Sequence, residues 1–321
     1  MTQPPHKLAI VIPTIGRHAE LRRMLASLAA QTRLPDEILI MDQDRSSVAL
    51  VEEFPQLKIQ VVAVPGSAAS KRNAGFRAMS PDIELVGVMD DDIELEPQAI
   101  DAMLKFWKQA PDDLGGAGCN LVNHPPTLAP RLKGLRLTSR LSLYDSTKGA
   151  VLRSGIHTMI GCVNDHCYVR WLSSMAAVFP RRVLDEFMFD EWFQTYSYLE
   201  DLDFTYRIGK RYRLAVVADA RFFHYPSETG RPGPYLFGKK EVLNRLYFVS
   251  KHAELSQTLC GLALSIRTLM SVFLGLTRFE SDYFKRAAGN LAAALLALKE
   301  KWEAARPWEE RGATNGTGSG R

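Results

Sequence analysis

Short apolar runs and helix-period stretches alternate through the first third of the chain. Residues 7–12 (KLAIVI), 37–41 (EILIM), 58–64 (KIQVVAV) and 83–89 (IELVGVM) are dense in Ile, Leu and Val, as strands buried on both faces are. Between the first two, Leu21, Met24, Leu25 and Leu28 share one helical face, and residues 68–79 give a second helix. This alternation with short connections predicts a parallel sheet with right-handed crossovers. Ligands of such sheets bind beyond the carboxyl ends of the strands. The polar residues there are Pro13 and Thr14, Asp42 and Gln43, and Asp90 to Asp92.

Residues 110–170 are rich in Gly, Pro and Asn and give no clear period. From 171 a strand-like run (WLSSMAAVF) precedes a helix led by Pro180, then an aromatic stretch (FMFDEWFQTYSY) and a helix starting near Glu200. A further strand at about 213–218 leads to His224. Residues 255–276 form an apolar segment about long enough to span a bilayer. Arg267 sits in its middle, where a charge costs about 2.5–3.5 kcal/mol on insertion scales. A core or membrane-surface helix is therefore favoured over a spanning one. From Phe284 the apolar positions run Phe284, Ala288, Leu291, Leu295, Leu298 and Trp302, the 4-3 spacing of a packed or paired helix seam. The tail GATNGTGSGR reads as a flexible end.

Composition narrows the class. The 321 residues are 46% apolar and 24% charged, ordinary for a soluble globular protein. The 40 Lys and Arg against 36 Asp and Glu leave +4, too small an excess for a nucleic-acid surface. Four cysteines make no disulfide framework. Cys162 and Cys167, near His157 and His166, lack the second ligand pair a zinc site needs. Reduced, structural cysteines are expected. The first residues show no secretory signal, so the expected compartment is the reducing cytoplasm.

Three adjacent carboxylates, Asp90, Asp91 and Asp92, need compensation, and Mg²⁺ or Mn²⁺ supplies it through oxygen ligands. In an extended segment Asp90 and Asp92 would point the same way. A solvated acidic turn before the helix near Pro97 explains the cluster equally well. Glu200, Asp201 and Asp203 open a helix, where the macrodipole favours each carboxylate by about 0.3–1 kcal/mol. A carboxylate set among aromatics also suits a general base. His224 reads as a structural histidine or a metal ligand. Lys71 and Arg72 oppose the dipole of their helix, so they serve either a phosphate or a solvated face.

The order IPT (12–14), MDQD (41–44), SKRNAGF (70–76), DDD (90–92), LEDLDFTYR (199–207) and His224 resembles family 2 glycosyltransferases of the GT-A fold, over about residues 7 to 250. The stretch FDEWFQTYSYLEDLDFTYRIGKRY resembles the family's acceptor-side signature. The resemblance implies an α/β fold, a GT-A-type nucleotide-binding mixed sheet flanked by helices with a C-terminal helical extension. It divides the chain into a catalytic domain at 1–250, with a nucleotide-sugar half to about 115 and an acceptor half from 116. A helical extension at 251–305 and a flexible tail at 306–321 follow.

By the same resemblance, Pro13 and Thr14 would line the base and ribose, and Asp42 would hold the base. Gln43 stands where many members have a second acid, and an amide there both donates and accepts. Arg72 would meet the base or diphosphate. Asp90 and Asp92 match the DxD motif around Asp91, with Asp92 the direct ligand of Mn²⁺ or Mg²⁺ and His224 a further ligand or diphosphate contact. Asp201 matches the catalytic base, Glu200 would orient the acceptor, and Trp171 and Ser174 fall on an acceptor-facing loop. The implied reaction is an inverting transfer from a UDP- or dTDP-sugar to a glycan or lipid-linked acceptor in cell-surface polysaccharide synthesis.

A nucleotidyltransferase of related fold is disfavoured, because PTIGRHAE after the first strand carries one glycine. No G-x-G-x-x-G follows that strand, which disfavours a dinucleotide-dependent dehydrogenase. A nucleotide-sugar-binding scaffold without turnover remains the non-enzymatic alternative. The segment 255–276, preceded by Lys239, Lys240, Arg245 and Lys251, suggests peripheral docking on the inner face of the cell membrane. A homodimer through 284–302 would account for the same helices.

Overall fold

The computed structural model describes residues 6–123, 143–194 and 197–299. Each early apolar run is a strand. β1 (Leu8–Pro13), β2 (Glu37–Asp42), β3 (Ile59–Ala63) and β4 (Leu85–Met89) pair in parallel in the order β3-β2-β1-β4. Three helices connect them: α1 (His18–Ala29), the single turn α2 (Val48–Val51) and α3 (Ala68–Ala78).

Beyond β4 the chain makes β5 (Ile93–Leu95), α4 (Ala99–Lys108), β6 (Leu114–Leu121), β7 (Cys167–Val169) and β8 (Ala176–Pro180). The one-turn α5 (Arg181–Leu184), α6 (Glu200–Gly209) and β9 (Arg213–His224) follow. The sheet continues β4-β8-β6-β9-β5, with β8 antiparallel to both β4 and β6, and β9 parallel to β6. On its other side β9 pairs antiparallel with β7 through 214–216 and with β5 through 222–224. The fold is therefore a mixed α/β sheet flanked by helices.

Period-2 alternation sends β1 side chains to two cores. Leu8, Ile10 and Ile12 meet the apolar faces of α1 and α4. Ala9 and Val11 meet Phe76 of α3 and, deeper, Phe204 and Ile208 of α6. Gly75 is required where α3 crosses β1, because a Cβ there would collide with Val11.

Two strands differ from the sequence pattern. The run starting at 171 becomes a strand only at Ala176; residues 171–175 are irregular and carry side chains to the strand ends. β9 continues to His224 because β5 supplies a ladder partner there, Ile93 opposite His224.

The C-terminal extension is three helices, α7 (Pro234–Ser250), α8 (Gln257–Arg278) and α9 (Ser281–Lys299). α7 and α9 approach so closely that a Cβ on Gly238 or Gly289 would strike the other helix's backbone. Buried Glu241 of α7 receives Arg267 of α8 (2.7 Å) and Arg286 of α9 (2.7 Å), which fixes their register. Trp171, Phe193, Leu202, Phe248 and Leu264 form the core that joins this extension to the sheet. Trp302 and the 306–321 tail lie outside the described residues.

Candidate active site

At the carboxyl end of β1, Thr14 is a junction. Its N–H donates to Met41 O (3.0 Å), its Oγ1 donates to Asp91 Oδ2 (2.6 Å), and its carbonyl accepts from Lys71 Nζ (2.6 Å). Pro13 before it is buried. Burial lowers the pKa of Lys71, against the pull of Asp42 and Asp91. Asp42 is fully buried and accepts from Ser47 N–H (2.9 Å), Ser47 Oγ (2.7 Å) and Gln43 N–H (2.7 Å). Its carboxylate closes its own loop, and the Gln43 side chain is left exposed.

The acidic triplet is not an extended segment. Residues 91–92 form a turn between β4 and β5, so Asp90 and Asp92 do not share a direction set by strand alternation. Each carboxylate has a different set of partners instead. Asp90 Oδ1 accepts from Arg72 Nη2 (2.7 Å), and Asp91 Oδ1 pairs with Arg17 Nη2 (2.6 Å). Asp92 Oδ1 faces His224 Nε2 (3.3 Å), while its Oδ2 takes Ser227 N–H (3.2 Å) and Arg17 Nη1 (3.3 Å). Burial raises Asp91 to about 7 despite Arg17 and Thr14. Burial also pushes Asp92 upward, but His224 and the Ser227 N–H outweigh it and hold that carboxyl below its usual value.

Arg72 is 3% exposed and links two distant segments. Besides Asp90, its Nη1 donates to Glu200 Oε1 (2.9 Å), and its guanidinium lies 5.1 Å over the Phe189 ring. Neighbouring Asn73 clamps the backbone of Phe189 from both sides (2.8 and 2.9 Å). Leu199, just before Glu200, is a non-glycine residue in the left-handed region at φ +75°, a conformation that costs of order 1 kcal/mol or more. Two α7 side chains hold this approach: Lys240 donates to Gln194 O (3.1 Å) and Asn244 to Tyr198 O (2.7 Å).

Burial and the adjacent Asp201 charge raise Glu200 to about 8, with Arg72 opposing. Burial also raises Asp201, against hydrogen bonds from Leu202 N–H (2.7 Å) and the Ser173 hydroxyl. Asp203 behaves oppositely. Burial would raise it, but His252, Lys251 and Arg207 bring it down to about 2, and it serves an ion-pair network rather than the site.

The 171–175 segment lies alongside. Trp171 donates from Nε1 to Thr158 O (3.0 Å) and meets His157 edge-on; Ser174 is buried. A small apolar cleft lined by Met159, Ile160, Trp171, Ser173, Met175 and Phe222 opens beside Ser173.

Among the described residues no group of three His, Cys, Asp or Glu side chains is arranged to hold a metal. Asp92 and His224 do present a carboxylate oxygen and an imidazole nitrogen together. That pair fits Mn²⁺ or Mg²⁺ bound by few protein donors and completed by water and phosphate oxygens. Asp90 stands apart from the pair, on Arg72.

Residues 9–163 match the model of glycosyl transferase family 2. That stretch, just under half of the chain, is similar to glycosyl transferase family 2. An uncharacterized glycosyltransferase of Haemophilus influenzae is 29% identical over 120 residues, 37% of this chain and 38% of that protein. The uncharacterized glycosyltransferase YwdF of Bacillus subtilis is 34% identical over 102 residues, 31% of this chain and 37% of YwdF. The chain thus matches under two-fifths of the length of these curated relatives. Among solved structures, the mannosyltransferase PcManGT of Pyrobaculum calidifontis, in complex with GDP-Man and Mn²⁺, aligns with TM-score 0.55. It is 14% identical, over 92% of this chain and 88% of that one. S. aureus TarS 1–349 aligns with TM-score 0.50 at 16% identity, over 86% and 74%. The fold is that of GT-A glycosyltransferases.

The fold brings Arg72, Asp90, Glu200 and Asp201 together, and separately Thr14, Asp91, Asp92 and His224. It leaves Asp42 occupied by its own loop and Trp171 on a backbone carbonyl. Two residues escaped the sequence reading. Arg17 bridges Asp91 and Asp92, and Ser173 bonds Asp201. Ser173 could have been found from its place beside Ser174; Arg17 carried no local signal.

Proposed function

We propose that this chain is an inverting glycosyltransferase that moves a sugar from a nucleoside-diphosphate donor to a hydroxyl of a glycan or lipid-linked acceptor. The observation that carries this reading is the pair Glu200–Asp201, joined through Arg72 to Asp90 at the strand ends. Asp201 is the base: partly buried, with its pKa raised by burial, it takes the acceptor hydroxyl proton as that oxygen attacks the anomeric carbon. Attack from the face opposite the leaving group inverts the centre in one displacement, so no second nucleophilic carboxylate is needed. Glu200, held by Arg72, orients the acceptor, and Ser173 holds Asp201. Asp92 and His224 are the residues that would hold Mn²⁺ or Mg²⁺, which supplies charge neutralisation at the diphosphate. Arg17 is a second cation within reach of the same phosphates.

The donor is a UDP- or dTDP-sugar, and the setting is cell-surface polysaccharide synthesis on the cytoplasmic side. A thermal-shift panel of UDP, dTDP, GDP and their sugars, with and without Mn²⁺, tests the site. A ligand at ~100-fold its Kd stabilises the folded chain by about 2.7 kcal/mol, so one nucleotide is expected to shift the melting point in a metal-dependent way. Asp201→Asn should retain that shift while losing about 10²–10⁴ in transfer rate. Transfer at full rate in that variant removes Asp201 from its role, and no shift with any nucleotide removes the donor site.

A further inference from the structure

Ten of the seventeen large apolar side chains left exposed among the described residues lie on α8, α9 and the turn between them. Leu269, Phe273 and Leu276 on α8 and Leu291 and Leu295 on α9 are each more than half exposed, and Phe279 in the turn is 93% exposed. At roughly 100 Å² each, the ten exceed the ~300–600 Å² apolar patch common on monomers. The 4-3 seam from Phe284 to Leu298 therefore faces out of the chain.

The polar groups around this surface say what covers it. The only charged residue of α8 before Arg278 is Arg267, and it turns inward to Glu241. The hydroxyls exposed on this side of α8, those of Ser265 and Thr277, each donate to the carbonyl four residues earlier, at 2.9 and 3.0 Å. A protein partner needs polar groups free at the rim of its interface. Helix hydroxyls spent on their own backbone instead suit a hydrocarbon surface, where every polar group must be satisfied internally. The cations just before the hairpin do not form a basic apron. Lys240 and Arg245 are buried on backbone carbonyls, Lys251 pairs with Asp190 and Asp203, and Lys239 lies over Tyr235.

We propose that the α8–α9 hairpin is a bilayer-docking element. It lies in the headgroup–acyl boundary with Leu269, Phe273, Leu276 and Leu291 down and Phe279 at its leading tip. It does not cross the bilayer, because α8 packs Cys260, Ala263, Leu264, Ser271 and Gly275 against the chain and Arg267 is held at mid-helix. The attraction is apolar rather than electrostatic.

Flotation of the full chain with vesicles of phosphatidylcholine alone, and with added phosphatidylglycerol, tests this. Binding to both, insensitive to salt, is expected. Leu269→Glu/Phe273→Glu should weaken partition at least tenfold, and Phe279→Asn, which keeps a residue tolerant of the left-handed turn, should weaken it too. Circular dichroism and the nucleotide thermal shift should be unchanged in both variants, so failure of the donor-site reading appears in that assay and not in flotation. Wild-type chain left unbound by both vesicle types overturns the proposal, as does binding only to anionic vesicles that salt abolishes. A dimer by light scattering, lost in the same variants and without flotation, overturns it in favour of a second copy.

Discussion

Arg72→Met removes the one guanidinium that neutralises both Asp90 and Glu200, at 2.7 and 2.9 Å. Stranding one member of a buried ion pair costs about 3–5 kcal/mol, but the cost here depends on pH. Glu200 titrates at about 8 in the folded wild type, against an ordinary glutamate value of 4.5. A carboxyl raised on folding makes the native state bind more protons than the unfolded chain, so stability falls as pH rises from about 4.5 to the folded value. Without Arg72 that value rises above 8, and the fall continues where the wild type has levelled off. Near pH 6.5 Glu200 is mostly neutral in both proteins, and the loss is largely that of the Asp90 pair, about 3 kcal/mol. Above pH 8 it grows by about 1.4 kcal/mol per pH unit. Urea unfolding followed by tryptophan fluorescence at pH 6.5 and pH 9 measures both. A difference under ~1 kcal/mol at both pH values, or one that shrinks as pH rises, would refute the reasoning.

Arg17→Gln frees Asp91 and Asp92 of their shared cation, so Mn²⁺ without nucleotide should bind about tenfold tighter and raise the melting point about 2–4 °C more than in the wild type; an equal or smaller shift counts against the arrangement. Asp203 is held at about 2, so the wild type should lose roughly 2 kcal/mol as pH falls from 4 to 2. Asp203→Asn should lack that acid-induced loss in pH-dependent unfolding. Gly289→Ala drives a methyl into the Tyr235 carbonyl and should cost about 1–3 kcal/mol in thermal unfolding, while Gly261→Ala, with open space around it, should cost little.

The parallel half of the fold was legible because Ile, Leu and Val runs report two-sided burial directly. β1 to β4 and α3 lie within one or two residues of their expected limits, and α1 carries the expected face of Leu21, Met24, Leu25 and Leu28. Patterns fail where a partner is remote. The last residues of β9 mix exposed Asp219 and Arg221 with buried Phe222, and they become a strand only against the remote β6 and β5, about a hundred residues or more earlier. Alternation misjudged Asp90 and Asp92 because it assumes extension, and the chain turns there so that Asp90 meets Arg72 while Asp92 meets His224 and Arg17. Arg17 meets Asp91 across 74 positions, a pairing local spacing does not encode. The same holds for Lys240 and Arg245, whose charges suggested an outer face although their carbonyl partners, Gln194 and Gly155, are distant in sequence.

The placement of β9 also sets an order of assembly. Among the described residues β9 is the last strand in sequence but lies inside the sheet, and it provides β5 and β7 with their strand partners. At ~5–20 residues per second of synthesis, β5 waits on the order of ten seconds for residues 222–224 to be made. Contacts of such long separation also close slowly once both ends exist. Asp92 therefore meets His224 only near the end of folding, and a nascent chain halted before residue 213 holds the strands up to β8 without that junction. Interval-labelled hydrogen exchange during refolding should show β1 and β2 protected before β5.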